Sequence, residues 1–352
     1  MNFAEVTNNK QDEVMFKLMN GINSFKDWEE SSIKQVKILY DENGKERYEL
    51  LIIGNNTKST GYIITDIYSG TIVEFSHGES PFETYLQKYL NKKGIDSIKV
   101  KDELKLVQNG IFQGYTLDDF NTIVYFTRDM SISIEQNVED INNKKEINDE
   151  LKSSNNTFRY TESIIPGVPN NQNDAPYSAC GPVSGINIIQ YWDGKGYSNL
   201  VTTQTFSNIY NALYIYMGSF QLPNGEHATS PIGFNGGPYG QGLIDYFDYV
   251  GNYNLSVVSD FNITTSDYSN FIKYEVDRNR PGSILFKDYN QVYDDRYGLH
   301  YTTLVGYAFG DEIGGNYYII HDLWNPFTIY RNWDNDISRG DIWATFKIIP
   351  SY

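Results

Sequence analysis

Cysteine, zinc-type ligand pairs and long apolar runs are all scarce in this chain of 352 residues. A single cysteine excludes an intramolecular disulfide, so packing must stabilise the fold. The four histidines and the cysteine do not have zinc-type spacing, so we expect neither a metal nor a cofactor. No segment approaches the ~20 consecutive apolar residues that a membrane helix needs, so we expect no membrane span.

Positive charge is also in short supply. The chain has 28 Lys and Arg residues against 45 Asp and Glu residues, a net charge of −17. Such a chain repels nucleic acid and anionic membrane surfaces, and we expect neither as a partner. The first residues, Met1 to Asp12, are polar and acidic, whereas a secretory signal would be basic and then apolar.

The one cysteine lies where a loop rich in Pro and Asn gives way to an apolar segment. Pro182 suits the first turn of a helix, and the apolar residues at spacing three that follow it predict a helix ending near Gly194. At a helix start, unpaired N–H groups and the macrodipole both favour a thiolate. Cys180 is therefore a candidate nucleophile.

The chain divides by composition into two units. Residues 1–130 predict a helix, two strand pairs and a second helix that begins at Ser80-Pro81, a small α+β unit. Residues 131–157 are polar and charge-dense, which favours an exposed linker. Residues 158–352 predict helices first and antiparallel strands last, so the whole chain is expected to be α+β.

A thiol nucleophile needs a base and a group that orients the base. His300 heads one predicted strand, and a hairpin turning near Asp311 would place Asp322 directly opposite it. A register error of one residue would bring His321 there instead. The pattern predicts a Cys180, His300 and Asp322 triad.

These motifs resemble the papain-like cysteine peptidases, in particular the bacterial C39-like branch and, more distantly, streptopain. The resemblance covers about residues 160–352 and rests on Cys180-Gly181-Pro182, on His300 through Tyr307 and on Tyr318 through Trp324. It implies a papain-like fold, with Cys180 as nucleophile, His300 as general base and acid and Asp322 as orienting residue. It also implies an extracellular location, whereas the visible N-terminus has no export signal.

The resemblance further implies that Gln172 and the backbone N–H of Cys180 form the oxyanion hole. Gln172 lies eight residues before Cys180, whereas six is the commoner spacing in the family. The first unit resembles the pro-regions of these peptidases in residues 61–66 and 73–76, which implies an inhibitory or chaperoning domain that occupies the cleft until the 131–157 linker is cut.

Three functions are consistent with these residues. The leading one is a thiol peptidase that acts on a peptide or protein substrate through a thioester. An acyltransferase or transglutaminase-like enzyme would use the same triad with an amine acceptor, and a non-catalytic binding protein would keep Cys180 as a structural thiol. Asp334, Asp336 and Asp341 are interpreted as a solvated turn, because their spacing does not match an EF-hand calcium loop.

Overall fold

The computed structural model describes most of the chain. The described residues are 11–19, 22–55, 58–92, 94, 104–117, 120, 122–126, 134–137, 160–172, 179–201, 204–222, 227–287, 299–310 and 313–352. We call residues 11–137 the N-terminal unit and residues 160–352 the C-terminal unit.

Local sequence signals account for the first elements of the N-terminal unit. They are helix α1 (11–19), a 3-10 helix Asn23–Glu30, and the strands β1 (Ser32–Tyr40), β2 (Glu46–Gly54), β3 (Ser59–Asp66) and β4 (Ile72–His77). The β1–β2 turn uses Gly44 at φ +78, and the Asp41 carboxylate accepts from the backbone of Asn43 and Lys45, both at 2.9 Å. The predicted strand pairs are confirmed.

Helix α2 (Pro81–Lys92) begins as predicted with Ser80 as its cap. The Glu83 N–H donates to Ser80 Oγ at 3.3 Å and the Ser80 N–H to Glu83 Oε2 at 3.1 Å, a reciprocal capping box. Four more strands complete the unit: β5 (Lys105–Asn109), β6 (Phe112–Thr116), β7 (Thr122–Tyr125) and β8 (Ile134–Asn137). Strand β8 pairs with β7 inside the predicted linker, so the sheet extends to 137, and the rest of that linker lies outside the described residues.

The C-terminal unit begins with a strand that was not predicted, β9 (Tyr160–Ile164), and is then mainly helical, as predicted. The next elements are α3 (Cys180–Asp193), α4 (Phe206–Tyr216), β10 (Phe220–Gln221), β11 (His227–Ala228) and α5 (Gly237–Tyr246). A strand β12 (Asn254–Asp260), which the sequence did not indicate, follows. A π-helical segment Tyr268–Lys273 then leads into the short α6 (Tyr274–Val276).

The last part of the chain is mainly strand. Its elements are β13 (Gly282–Lys287), β14 (Leu299–Gly310), β15 (Gly315–His321), β16 (Ile329–Asn332), α7 (Trp333–Arg339) and β17 (Ile342–Ser351). These strands match the predicted ones within a few residues, whereas the short helix α7 replaces the predicted solvated turn.

One large, mostly antiparallel sheet runs through both units. Among the described residues it has fifteen strands, in the order β12-β17-β13-β14-β15-β16-β4-β3-β2-β1-β5-β6-β7-β8, with β9 paired to β14. Strands β4 and β16 join the two units, with Arg331 opposite Glu74. The fold is therefore mixed α+β, and the N-terminal unit continues the sheet of the C-terminal unit rather than lying apart from it.

Candidate active site

Cys180 occupies the first position of α3. Ala179, the residue before the helix, makes no side-chain cap, and its N–H donates to the Tyr210 hydroxyl at 3.1 Å. The thiol is buried, with 8% of the residue exposed, and its Sγ accepts the N–H of Tyr301 at 3.5 Å. The nucleophile predicted from the sequence therefore lies against the start of β14, beside the residue that follows His300.

His300 lies at the second position of β14 and is buried. Its Nε2 is 2.6 Å from the backbone carbonyl of Asp322. Because a carbonyl can only accept, Nε2 carries the hydrogen, and in the neutral ring Nδ1 holds the basic lone pair. Burial lowers the pKa of His300 to about 3, against the opposing effect of the Asp322 carbonyl, so the ring is neutral near pH 7.

Aromatic rings from both units enclose the imidazole. Trp324 stacks on it with centroids 3.7 Å apart and planes 20° from parallel. Phe112, from the β5–β6 hairpin of the N-terminal unit, lies edge-on to the imidazole at 6.4 Å and 5.6 Å from Trp324. The Tyr85 hydroxyl, on α2, also donates to the Trp324 carbonyl at 3.0 Å. The N-terminal unit therefore covers the candidate base and contributes to its desolvation.

The register of β14 with β15 differs from the predicted one. Gly310 pairs with Gly315, and Thr303 pairs with His321 beyond a bulge between Leu304 and Gly306. Continued to the start of β14, this register places residue 324 near His300, which is where Trp324 stacks. Gly314, just before β15, has the left-handed φ of +72, which glycine adopts without strain.

Asp322 therefore reaches His300 through its backbone rather than its side chain. Its carboxylate accepts from the N–H groups of Trp324 at 3.0 Å and Asn325 at 2.7 Å, which closes the turn after β15. Leu323, between them, has the left-handed φ of +66. The predicted orienting residue is next to the imidazole, but the hydrogen-bond acceptor is its carbonyl.

His300 and Tyr301, which follow one another in β14, have different neighbours. Successive side chains of a strand alternate, so His300 and Tyr301 point to opposite faces. Tyr301 stacks on Tyr239 at 4.2 Å and belongs to the apolar cluster that contains Cys180, whereas His300 packs on Trp324. The structure brings the thiol to the backbone N–H of Tyr301, directly after His300 in β14.

Gln172, the predicted oxyanion donor, lies in the loop before Cys180. Its Nε2 donates to the carbonyl of Asn170 at 2.7 Å. Residues 173–178, which join Gln172 to the helix, lie outside the described residues. The neighbouring Asn171 is anchored on α3, because its N–H and Nδ2 both donate to Asn187 Oδ1, at 3.0 and 2.7 Å.

A buried ionic cluster, which the sequence did not indicate, joins the N-terminal and C-terminal units where β4 pairs with β16. Arg331 is fully buried and binds Asp336 of α7 through Nε and Nη2, at 2.9 and 2.7 Å, and Glu74 of β4 through Nη1. Glu74 also accepts from the Tyr62 hydroxyl at 2.7 Å. Burial raises the pKa of Glu74 and outweighs the opposing effect of Arg331.

This cluster corrects the interpretation of the aspartates as a solvated turn. Asp336 is 0% and Asp341 1% exposed, and both bind arginines, Arg331 and Arg339. The sequence alone could have suggested these ion pairs only because Arg331 and Arg339 lie near the aspartates in the chain. In the part of the chain that the structure describes, no three His, Cys, Asp or Glu residues are grouped to hold a metal, and no helix is long and apolar enough to cross a bilayer.

Comparison with known proteins adds no assignment. Neither a scan against protein-family models nor a search of curated proteins gave a match to this chain. The roles of Cys180, His300, Asp322 and Gln172 therefore stay predictions, based on their chemistry and on the geometry above.

Proposed function

We propose that this protein is a thiol peptidase with a papain-like C-terminal unit. His300 takes the proton of the Cys180 thiol, and Sγ attacks the carbonyl carbon of the substrate peptide bond. The Gln172 amide and the Cys180 N–H stabilise the oxyanion. The tetrahedral intermediate then expels the amine, which takes a proton from His300, and water hydrolyses the remaining thioester.

One observation carries this proposal. The thiol at the start of α3 contacts the start of the strand that bears a histidine, at 3.5 Å from the N–H of Tyr301. The hydrogen bond from Nε2 of His300 to the Asp322 carbonyl leaves Nδ1 as the atom that can accept a proton. A nucleophile, a base and an orienting acceptor thus come from three separate segments of one fold.

The N-terminal unit acts as an intramolecular inhibitor in this proposal. Phe112 and Trp324 enclose the imidazole, so catalysis requires the N-terminal unit to uncover the base. The β5–β6 hairpin that carries Phe112 is held in place by Arg331, whose Nη1 donates to the Gly110 carbonyl at 3.3 Å. The structure is therefore consistent with a latent state.

The burial of Cys180, in an apolar cluster, favours a second candidate function, a binding protein with a structural thiol. The two differ in the reactivity of that thiol. A latent peptidase should acquire a reactive thiol when its N-terminal unit is displaced, whereas a structural thiol should react only when the protein unfolds.

The test compares the full chain with its Cys180→Ala variant. Each is incubated with a fluorogenic peptide mixture, and mass spectrometry follows cleavage of the chain between residues 131 and 159. We expect self-cleavage of the native protein, followed by peptide hydrolysis and iodoacetamide labelling of the cleaved product, and none of them in the variant. Hydrolysis that persists in Cys180→Ala would overturn the proposal, and products that carry an added primary amine would identify an acyltransferase instead.

A further inference from the structure

One face of α3 carries a buried polar row. Cys180, Ser184 and Asn187 are four and three residues apart, the spacing that aligns side chains along one side of a helix. Ser184 and Asn187 are both 0% exposed. Ser184 Oγ donates to the Thr302 carbonyl of β14 at 3.2 Å, so this row faces the strand that bears His300.

The amide of Asn187 joins three segments of the site. Its Nδ2 donates to Thr303 Oγ1 at 3.1 Å, three residues beyond His300 on β14. Its Oδ1 accepts from both the N–H and the Nδ2 of Asn171, the residue before Gln172. Every one of these bonds is buried or partly buried, and the Asn171 pair uses both lone pairs of the oxygen.

The loop that carries Gln172 is held from its other side as well. The Pro169 carbonyl accepts from His321 Nδ1 at 2.9 Å, and Asn170 Nδ2 donates to the Asn325 carbonyl at 3.3 Å. Asn171 Nδ2 also donates to Gln190 Oε1 on α3, at 2.8 Å. The loop is therefore fixed between α3 and the segment that contains Asp322.

The geometry points to Asn187 as a positioning residue, which acts through Asn171 to hold Gln172 in place relative to Cys180 and to the strand of His300. The assignment rests on the proposed function. Ser184 already links α3 to β14, so a purely structural need for that contact would not explain the two bonds to Asn171. The buried amide of Asn187 therefore fixes the loop that carries Gln172.

Asn171→Ala is the variant that tests this, because removing Asn187 would leave the backbone N–H of Asn171 without its acceptor. Hydrolysis needs the oxyanion donor, whereas alkylation of Cys180 by iodoacetamide forms no oxyanion. We expect kcat to fall about 10-fold to 100-fold, with KM changed less than about threefold and alkylation less than about twofold. The matched control is Asn262→Ala, which removes an exposed asparagine side chain after β12 and should keep kcat within about twofold.

A double-mutant cycle separates positioning from general weakening. If Asn171 acts only by placing Gln172, the Asn171→Ala/Gln172→Ala protein should be no slower than Gln172→Ala alone, within about twofold. Losses that multiply, an unchanged kcat in Asn171→Ala or a parallel loss of alkylation would each overturn the inference. These outcomes are distinct from failure of the proposed function, in which the unmodified chain shows no hydrolysis that depends on Cys180.

Discussion

The burial of His300 predicts that acid destabilises this protein through one identifiable residue. The unfolded chain binds a proton at His300 near the ordinary pKa of 6.5, whereas burial lowers the folded pKa to about 3. The stability that the neutral ring contributes is therefore fully present above pH 6.5 and is lost as the pH falls towards 3.

The size of the effect follows from the two pKa values. The full difference corresponds to about 5 kcal/mol, and at pH 5 the loss is about 2 kcal/mol. Solvent screening does not reduce this free-energy difference, because only 3% of His300 is exposed. Other groups titrate too, since burial lowers the pKa of His321 to about 4 and raises those of Glu74 and Asp336.

A comparison with His300→Gln isolates the one residue. Glutamine keeps an N–H donor for the Asp322 carbonyl, cannot take up a proton and leaves the other titrating groups in place. Denaturant unfolding of both proteins at pH 7.5, 6 and 5 gives the difference in their free energies of unfolding. We expect the native protein to lose about 2 kcal/mol relative to the variant between pH 7.5 and pH 5. A difference that stays constant within about 0.5 kcal/mol would refute the claim that the imidazole is buried and neutral.

Three further changes test the latent site. Phe112→Ala should speed the alkylation of Cys180 at pH 7 in the full chain, because it removes a ring that covers the base; an unchanged rate would exclude the hairpin as the restraint. Glu74→Gln keeps the shape of the side chain but removes one charge beside Arg331, so it should lower the free energy of unfolding by about 2 kcal/mol in denaturant titrations. A loss below about 0.5 kcal/mol would show that the ion pair of Glu74 with Arg331 is dispensable for stability. Asp322→Asn should keep hydrolysis within about tenfold, because the backbone carbonyl holds the imidazole, whereas a much larger loss would assign that role to the carboxylate.

Short-range signals made much of the fold predictable. The Asn43-Gly44 turn, the Ser80 cap with Glu83 and the start of a helix at Cys180 each depend on residues within about one turn of each other. The strands of the C-terminal unit followed from their apolar runs for the same reason. Strand β12 was missed, since its alternating pattern lies between two helical segments.

The geometry of the candidate site depends on partners far apart in the chain. The sequence by itself singled out Cys180, His300 and Asp322, because a lone thiol at a helix start and a histidine at a strand start carry recognisable chemistry. Only the tertiary structure decided that the Asp322 carbonyl holds the imidazole, since the pairing of β14 with β15 includes a bulge between Leu304 and Gly306 that the sequence pattern does not specify. It also decided that Phe112 covers the base. This contact depends on the pairing of β4 with β16, which no local pattern specifies. Side chains so far apart in the chain become neighbours only when the faces that carry them are buried together.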